Sequence, residues 1–316
     1  MKILLILLAG LWLLPTAAQR PDYAVVNVSV CNTRTAAEYS SGQESQALLG
    51  MPVKILDRHH EWTRILTPDH YEAWVLAGCI HPMERQQLSL WNQSPQLVVT
   101  ALYATVYSRP SRRSQPVSDV VAGNRLLLAG SKGRYYRVEY PDGREGYLPK
   151  QDGIPLHKWR SHLSQEPQAI LATALRLVGT PYMWGGTSTK GVDCSGFVRT
   201  VLFMHDIIIP RNASQQAREG QRITVDADCR NLQPGDLLFF GSTRADGTPR
   251  VVHVGFYMGQ RRFIHSLGCV RVASLDPSDP LYDAYDHGRL LFAGRILPYI
   301  NQSENMFTTP HSPLYQ

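Results

Sequence analysis

Residues 181–198 read PYMWGGTSTKGVDCSGFV, and the fold and the chemistry of the chain both turn on Cys194 within them. Gly185, Gly186 and Gly191 make a flexible approach, after which Phe197, Val198, Val201 and Leu202 recur at helical spacing. Asp193 then stands at the N-cap position and Cys194 in the first helical turn. Unpaired backbone N–H groups and the positive end of the helix dipole favour a thiolate there, against an ordinary thiol pKa of about 8.5. The competing reading is a buried structural cysteine, a common fate for this residue. A nucleophile also needs a base and a group to orient that base.

Such partners occur in VVHVGFYMGQRRFIHSLG, residues 251–268. Val251–Tyr257 and Arg262–Ser266 read as strands joined by a turn at Met258-Gly259-Gln260. His253 and His265 are equidistant from Gly259, so a hairpin folded there places them opposite each other on one face. The expected arrangement is Cys194 as nucleophile, His253 as base and His265 as orienting group.

DCSGF, PYMWGG, HVGFYMG and FIHS together resemble the NlpC/P60 cell-wall peptidases, over roughly residues 167–297. The resemblance implies a papain-like α+β catalytic domain with a Cys–His–polar triad. An early helix, QAILATALRLV after Pro167, and later strands at 237–240, 270–274 and 290–297 follow the α+β order.

Upstream, residues 24–150 repeat at a constant offset of 73 (123 − 50): Gly50 with Gly123, Trp62 with Tyr135, Pro68-Asp69 with Pro141-Asp142, Trp74 with Tyr147. Each copy holds short alternating strands, VKIL, EWTRIL and EAWVL in the first and LLLAG, YYRVEY and EGYLP in the second. That pattern implies two small β-barrels and resembles tandem bacterial SH3-like (SH3b) domains. Residues 81–96 and 150–167 read as polar linkers, and 301–316, polar and without periodicity, as a loose tail. The resulting division is 1–18, 19–88, 89–155, 156–300 and 301–316.

The first of these segments reads as a secretory signal: Lys2, the apolar run Ile3–Leu14, and a small-residue cleavage site at Thr16-Ala17-Ala18. No cysteine follows that site and no later segment is apolar enough to span a bilayer, so an exported, periplasmic protein without a lipid anchor is expected. With 43% hydrophobic and 18% charged residues, the 316-residue chain is globular in composition. Its net charge of +6 comes without lysine or arginine runs, which sets nucleic acid aside. Five cysteines fit one working thiol and four others. Cys31 with Cys79 and Cys229 with Cys269 are possible bridges, and free thiols an equal alternative. C-x-x-C and H-E-x-x-H are absent, so neither metal nor cofactor is expected.

Two SH3b domains ahead of an NlpC/P60 domain resemble γ-D-glutamyl-L-diamino acid endopeptidases, which act on peptidoglycan-derived peptides with a free N-terminal L-alanine. The resemblance implies that Asp193 and Ser195 help hold the substrate ammonium and that Tyr182 borders the reacting carbonyl. It also implies that Ser214, in PRNASQQ, lies in the substrate pocket. From the first barrel it assigns Tyr71 and Glu44 to the site; the second copy has Arg144 where the first has Tyr71. Rival readings are a hydrolase of intact wall anchored by its SH3b pair, and a wall-binding protein without activity.

Overall fold

The computed structural model describes residues 21–316, so the signal segment lies outside the described residues. Among those described, no helix is long and apolar enough to cross a membrane.

Two seven-stranded antiparallel sheets come first, spanning Tyr23–Met83 and Gln96–Pro155. Counted within each sheet, the strand order is the same in both: third, second, sixth, fifth, fourth, first, seventh. Alternating residues turn inward, giving each sheet its own core, with Ala24, Val53, Ile65 and Val75 in one and Leu97, Leu126, Val138 and Leu148 in the other. The 73-residue repeat is therefore a repeat of topology. Its aligned glycines, Gly50 and Gly123, both take positive φ (81° and 88°). At Gly50 a Cβ would lie 2.2 Å from the carbonyl oxygen of Arg125, so the close approach of the two barrels itself demands glycine.

The expected linkers are structured. Residues 81–96 contain the end of strand Ile80–Met83 and a helix, Arg85–Gln93. That helix buries Leu88 and Trp91, spaced three apart, against Val25 and Met83 and leaves Leu90 exposed. In the second connection, Gly153–Pro155 joins the second sheet, and helix Leu156–His162 buries Trp159.

The catalytic part packs helices Pro167–Arg176 and Cys194–Phe203 on a six-stranded antiparallel sheet. Its strands run 221–223, 290–295, 237–243, 249–259, 262–267 and 269–274 in spatial order. The Cys194 helix is buried along nearly its whole length, with Phe197 edge-on to Phe256 at 5.9 Å.

The C-terminal segment is not loose. Phe307–Thr308 pairs with Ile207–Ile208, and Met306 and Thr309 are fully buried. Its anchor is ionic: Asp206 accepts from Arg125 (3.0 Å), Arg160 (3.0 Å) and the Thr309 hydroxyl (2.5 Å), while Arg125 stacks on Tyr315 at 4.7 Å. Buried charges require partners, and here the tail supplies some of them.

Candidate active site

Cys194 opens its helix as the N-cap argument requires, with Asp193 Oδ1 accepting from the Gly196 N–H at 2.7 Å. Asp193 has further bonds. Its Oδ2 accepts from the Gly185 N–H at 3.0 Å, and both oxygens meet the guanidinium of Arg211, with Nη1 at 3.1 Å from Oδ1. Arg211 also donates to Ser195 Oγ at 3.0 Å and to the backbone carbonyl of Glu44 at 2.9 Å. Asp193 is thus a structural carboxylate paired with Arg211 rather than an open one for an ammonium group, and Arg211 ties the nucleophile's helix to the first barrel. Ser195 is drawn into the same network.

A second clamp lies nearby. Arg199, on the Cys194 helix, donates to Asp69 Oδ1 at 2.6 Å and to Ser45 Oγ at 3.0 Å. Asp69 belongs to the Pro-Asp turn just before Tyr71, so this buried ion pair sets where Tyr71 stands. Its hydroxyl donates to Glu44 Oε2. A cavity of about 420 Å³ is lined by Cys194, His253, Tyr182 and Ser214, and by Glu44 and Tyr71 of the first barrel. Asp193 and Ser195 also border it, whereas His265 lies behind His253, away from the wall.

The hairpin differs from the expectation. Its turn is Gln260-Arg261, both residues left-handed (φ 53° and 61°), the geometry of a two-residue hairpin loop. A register shift between Tyr257 and Gly259 puts Gly255, not His253, opposite His265. The loop position alone would pair His265 with Phe256, and the extra residue in one strand moves the partner on to Gly255. The face is nevertheless retained, because 253 and 255 have the same parity. The two histidines meet diagonally, His253 Nε2 to His265 Nδ1 at 2.8 Å. Gly255 keeps that diagonal open, since a Cβ there would lie 2.9 Å from the Cβ of His265.

Behind the pair is a residue that sequence reasoning missed. Asp286, fully buried, places Oδ2 3.2 Å from His265 Nδ1 and 3.9 Å from His253 Nε2. Its Oδ1 accepts from Arg289 Nε at 2.8 Å, and Arg271 Nε approaches His265 Nε2 at 3.3 Å. His253, His265 and Asp286 are metal-ligand types in close array. Two guanidinium groups stand against them, however, and one carboxylate oxygen is already taken. The cluster is better suited to holding protons than a cation. Arg211 had a faint signal in its place beside Ser214; Asp286 and Arg289 had none, because what ties them to the site is the contact of Asp286 with two histidines far away in the chain.

Burial governs the electrostatics. It pushes the Cys194 thiol up to about 11, aided by the charge of Asp193 and opposed by the backbone N–H groups of Ser195 and Val254. The expected stabilisation of a thiolate by the helix end is present but outweighed. Burial, then the neighbouring His265, takes His253 down to about 3 against the pull of Asp286. For Asp286 itself burial opposes ionisation, but the bond to His265, the charge of His253 and the bond from Arg289 prevail and hold it at about 2. Tyr182, raised to about 12 by burial and then by Cys194, stays a hydroxyl donor. At neutral pH the site is a thiol beside a neutral imidazole, with a carboxylate behind it.

This geometry has relatives. The chain matches the NlpC/P60 family over residues 179–288 and the bacterial dipeptidyl-peptidase Sh3 domain over residues 33–78. A γ-D-glutamyl-L-lysine dipeptidyl-peptidase of Bacillus cereus is 33% identical over 242 residues, 74% of this chain and 70% of that protein. Dipeptidyl-peptidase 6 of Lysinibacillus sphaericus is 30% identical over 273 residues, 82% of this chain and 94% of that one. A crystal structure of an NlpC/P60 family protein from Bacillus cereus superposes with a TM-score of 0.71 at 27% identity, covering 87% of this chain and all (100%) of that one. The kinship of the second barrel to the first rests on the shared strand order. With the helix-borne cysteine, the paired histidines and this similarity along most of its length, the chain belongs to the NlpC/P60 family of cysteine peptidases.

Proposed function

We propose that the protein is an exported endopeptidase that cuts the bond between a γ-D-glutamyl residue and the following diamino acid in peptidoglycan stem peptides with a free N-terminal L-alanine. The observation that carries this reading is the first barrel's share in the cavity, which Glu44 and Tyr71 line together with Cys194. An ammonium group leaving water needs a carboxylate partner. Glu44 is available for that role, whereas Asp193 is already held by Arg211. A fixed anionic stop at one end is also what measuring two residues from a free amine requires, in keeping with the dipeptidyl-peptidase names of the relatives.

In the reaction, the Cys194 sulfur bonds to the γ-carbonyl carbon as its proton passes to His253 and the carbonyl π pair moves onto oxygen. The Cys194 N–H and the Tyr182 hydroxyl donate to that oxyanion. His253, oriented by His265, delivers the proton to the leaving amine, then takes one from the water that hydrolyses the thioester. A required free amine directs the enzyme to released peptides, because the stem peptides of intact wall are amide-linked at that end.

Mass spectrometry of L-Ala-γ-D-Glu-diaminopimelate beside its N-acetylated form tests this. Cleavage of the free-amine peptide alone is expected. Equal cleavage of both, with fragments released from purified sacculi, would overturn the amine requirement and make the protein a wall hydrolase.

A further inference from the structure

The His253 side of the cavity has a chemistry of its own. Val252, Leu267, Tyr285 and Arg289 line the cavity together with His253, and Asp286 ties Arg289 to that histidine. Trp184, Tyr285 and Val252, which are 72%, 66% and 48% exposed, are large apolar side chains left open to solvent, and all three line this one cavity. Arg289 is the cation among them. Its Nε and Nη2 donate to Asp286 Oδ1 at 2.8 and 2.6 Å, and its guanidinium lies over the Tyr285 ring at 4.2 Å. Nη1 has no partner among the described residues. Two contacts thus fix the plane of the guanidinium and leave donors over for the cavity.

The side of the cavity follows from mechanism. His253 must protonate the leaving amine, so the leaving residue lies against the His253 wall. Asp286 links Arg289 to that wall, its two oxygens divided between Arg289 and the histidines. Arg289 therefore flanks the leaving residue, as Glu44 faces the acyl end.

We infer that Arg289, stacked on Tyr285, is the specificity residue for the leaving side and reads a carboxylate on the departing diamino acid. The inference rests on the proposed γ-D-glutamyl peptidase activity. That carboxylate has two sources: the α-carboxylate beside the cut amine, or the second one at the far end of diaminopimelate. Lysine carries an ammonium group at the far end, which Arg289 repels. The apolar wall of Val252, Leu267 and the Tyr285 ring accommodates the methylenes that both residues share.

The test uses the Cys194→Ala protein, so that binding is read without turnover. Calorimetry compares L-Ala-γ-D-Glu-diaminopimelate, the lysine peptide, and the lysine peptide as its C-terminal amide. Diaminopimelate binding about tenfold tighter than lysine (~1.4 kcal/mol) identifies the far carboxylate. Equal binding of the two acids, with the amide about tenfold weaker, identifies the α-carboxylate. In either case Arg289→Met in the same background removes the difference, and Arg289→Lys, which keeps the charge, retains part of it; thermal unfolding confirms that both variants fold. Equal binding of all three peptides would overturn the Arg289 inference and leave the peptidase reading standing. No binding of any of them would overturn both.

Discussion

The two barrels share a strand order and a 73-residue register, yet only one takes part in the active site. Their equivalent loops explain why. In the first, the Pro68-Asp69 turn grips Arg199 of the nucleophile's helix, and Tyr71 follows it into the cavity. In the second, Asp142 of the matching turn accepts from Asn27 of the first barrel at 2.8 Å. Arg144, in the place of Tyr71, pairs with that aspartate at 2.6 Å and reaches the Asn27 carbonyl at 3.2 Å. Where the first barrel has Glu44, the second has Val117, packed against its own core. The same loop docks each barrel onto a neighbour, and only the first barrel's neighbour carries Cys194. A repeated fold thus acquires different roles through a few loop residues.

Removing the nucleophile sets the floor against which either barrel is measured. Cys194→Ala is expected to lower kcat/KM at least about a thousandfold with no loss in melting temperature. The state of the thiol is checked by iodoacetamide alkylation across pH. A thiol raised to about 11 beside an imidazole lowered to about 3 rests neutral between those values, so the rate should still be climbing at pH 9. A plateau reached already in acid would show a thiolate–imidazolium pair instead.

The second barrel's contribution is expected in stability. Arg125→Met leaves Asp206 with Arg160 as its one cation in a site where both Arg125 and Asp206 are nearly inaccessible. Breaking a buried pair of this kind costs about 3 kcal/mol, read as a lower melting temperature, while kcat/KM of the folded protein stays within about twofold. A large loss of activity with unchanged stability would make the second barrel a participant and end the contrast.

The first barrel's contribution is expected in recognition. Glu44→Gln and Tyr71→Arg, the latter installing the second copy's residue, should each reduce kcat/KM on the free-amine peptide about thirtyfold (about 2 kcal/mol). Neither should alter whatever slow cleavage the N-acetylated peptide undergoes. Equal losses on both peptides would mean that these residues hold the wall together rather than read the amine.

How much of this was legible in the sequence depended on the range of the interaction. The helix start at Asp193-Cys194 and the alternation of the barrel strands are local, and they could be read directly. The His253–His265 pairing was legible as to face but not as to register, because the loop position and one bulged residue together move the partner by two residues, which keeps the parity. Arg211, Asp286 and Arg289 act through partners far away in the chain or hidden by the fold, so no spacing announces them. The C-terminal segment misled for a related reason: Thr309 and Tyr315 are held by charged side chains from three regions, which leaves no hydrophobic period. Burial, which decides the state of Cys194, is a property of the assembled structure.

The smallest effect expected is also the sharpest check on the barrels' division of labour. Arg144→Tyr gives the second barrel the residue that the first uses in the cavity. It removes a half-exposed ion pair with Asp142, worth at most about 1 kcal/mol, and a stacking contact on Tyr140 at 4.5 Å. Because Val117 replaces the carboxylate and the loop faces Asn27 rather than the nucleophile, the new tyrosine has nothing to recognise. Melting temperature should fall by no more than a few degrees and kcat/KM should stay within about twofold on both peptides. A selective loss on the free-amine peptide would mean that the grip on Asn27 sets how the first barrel presents Glu44, so that the two copies act as one recognition unit.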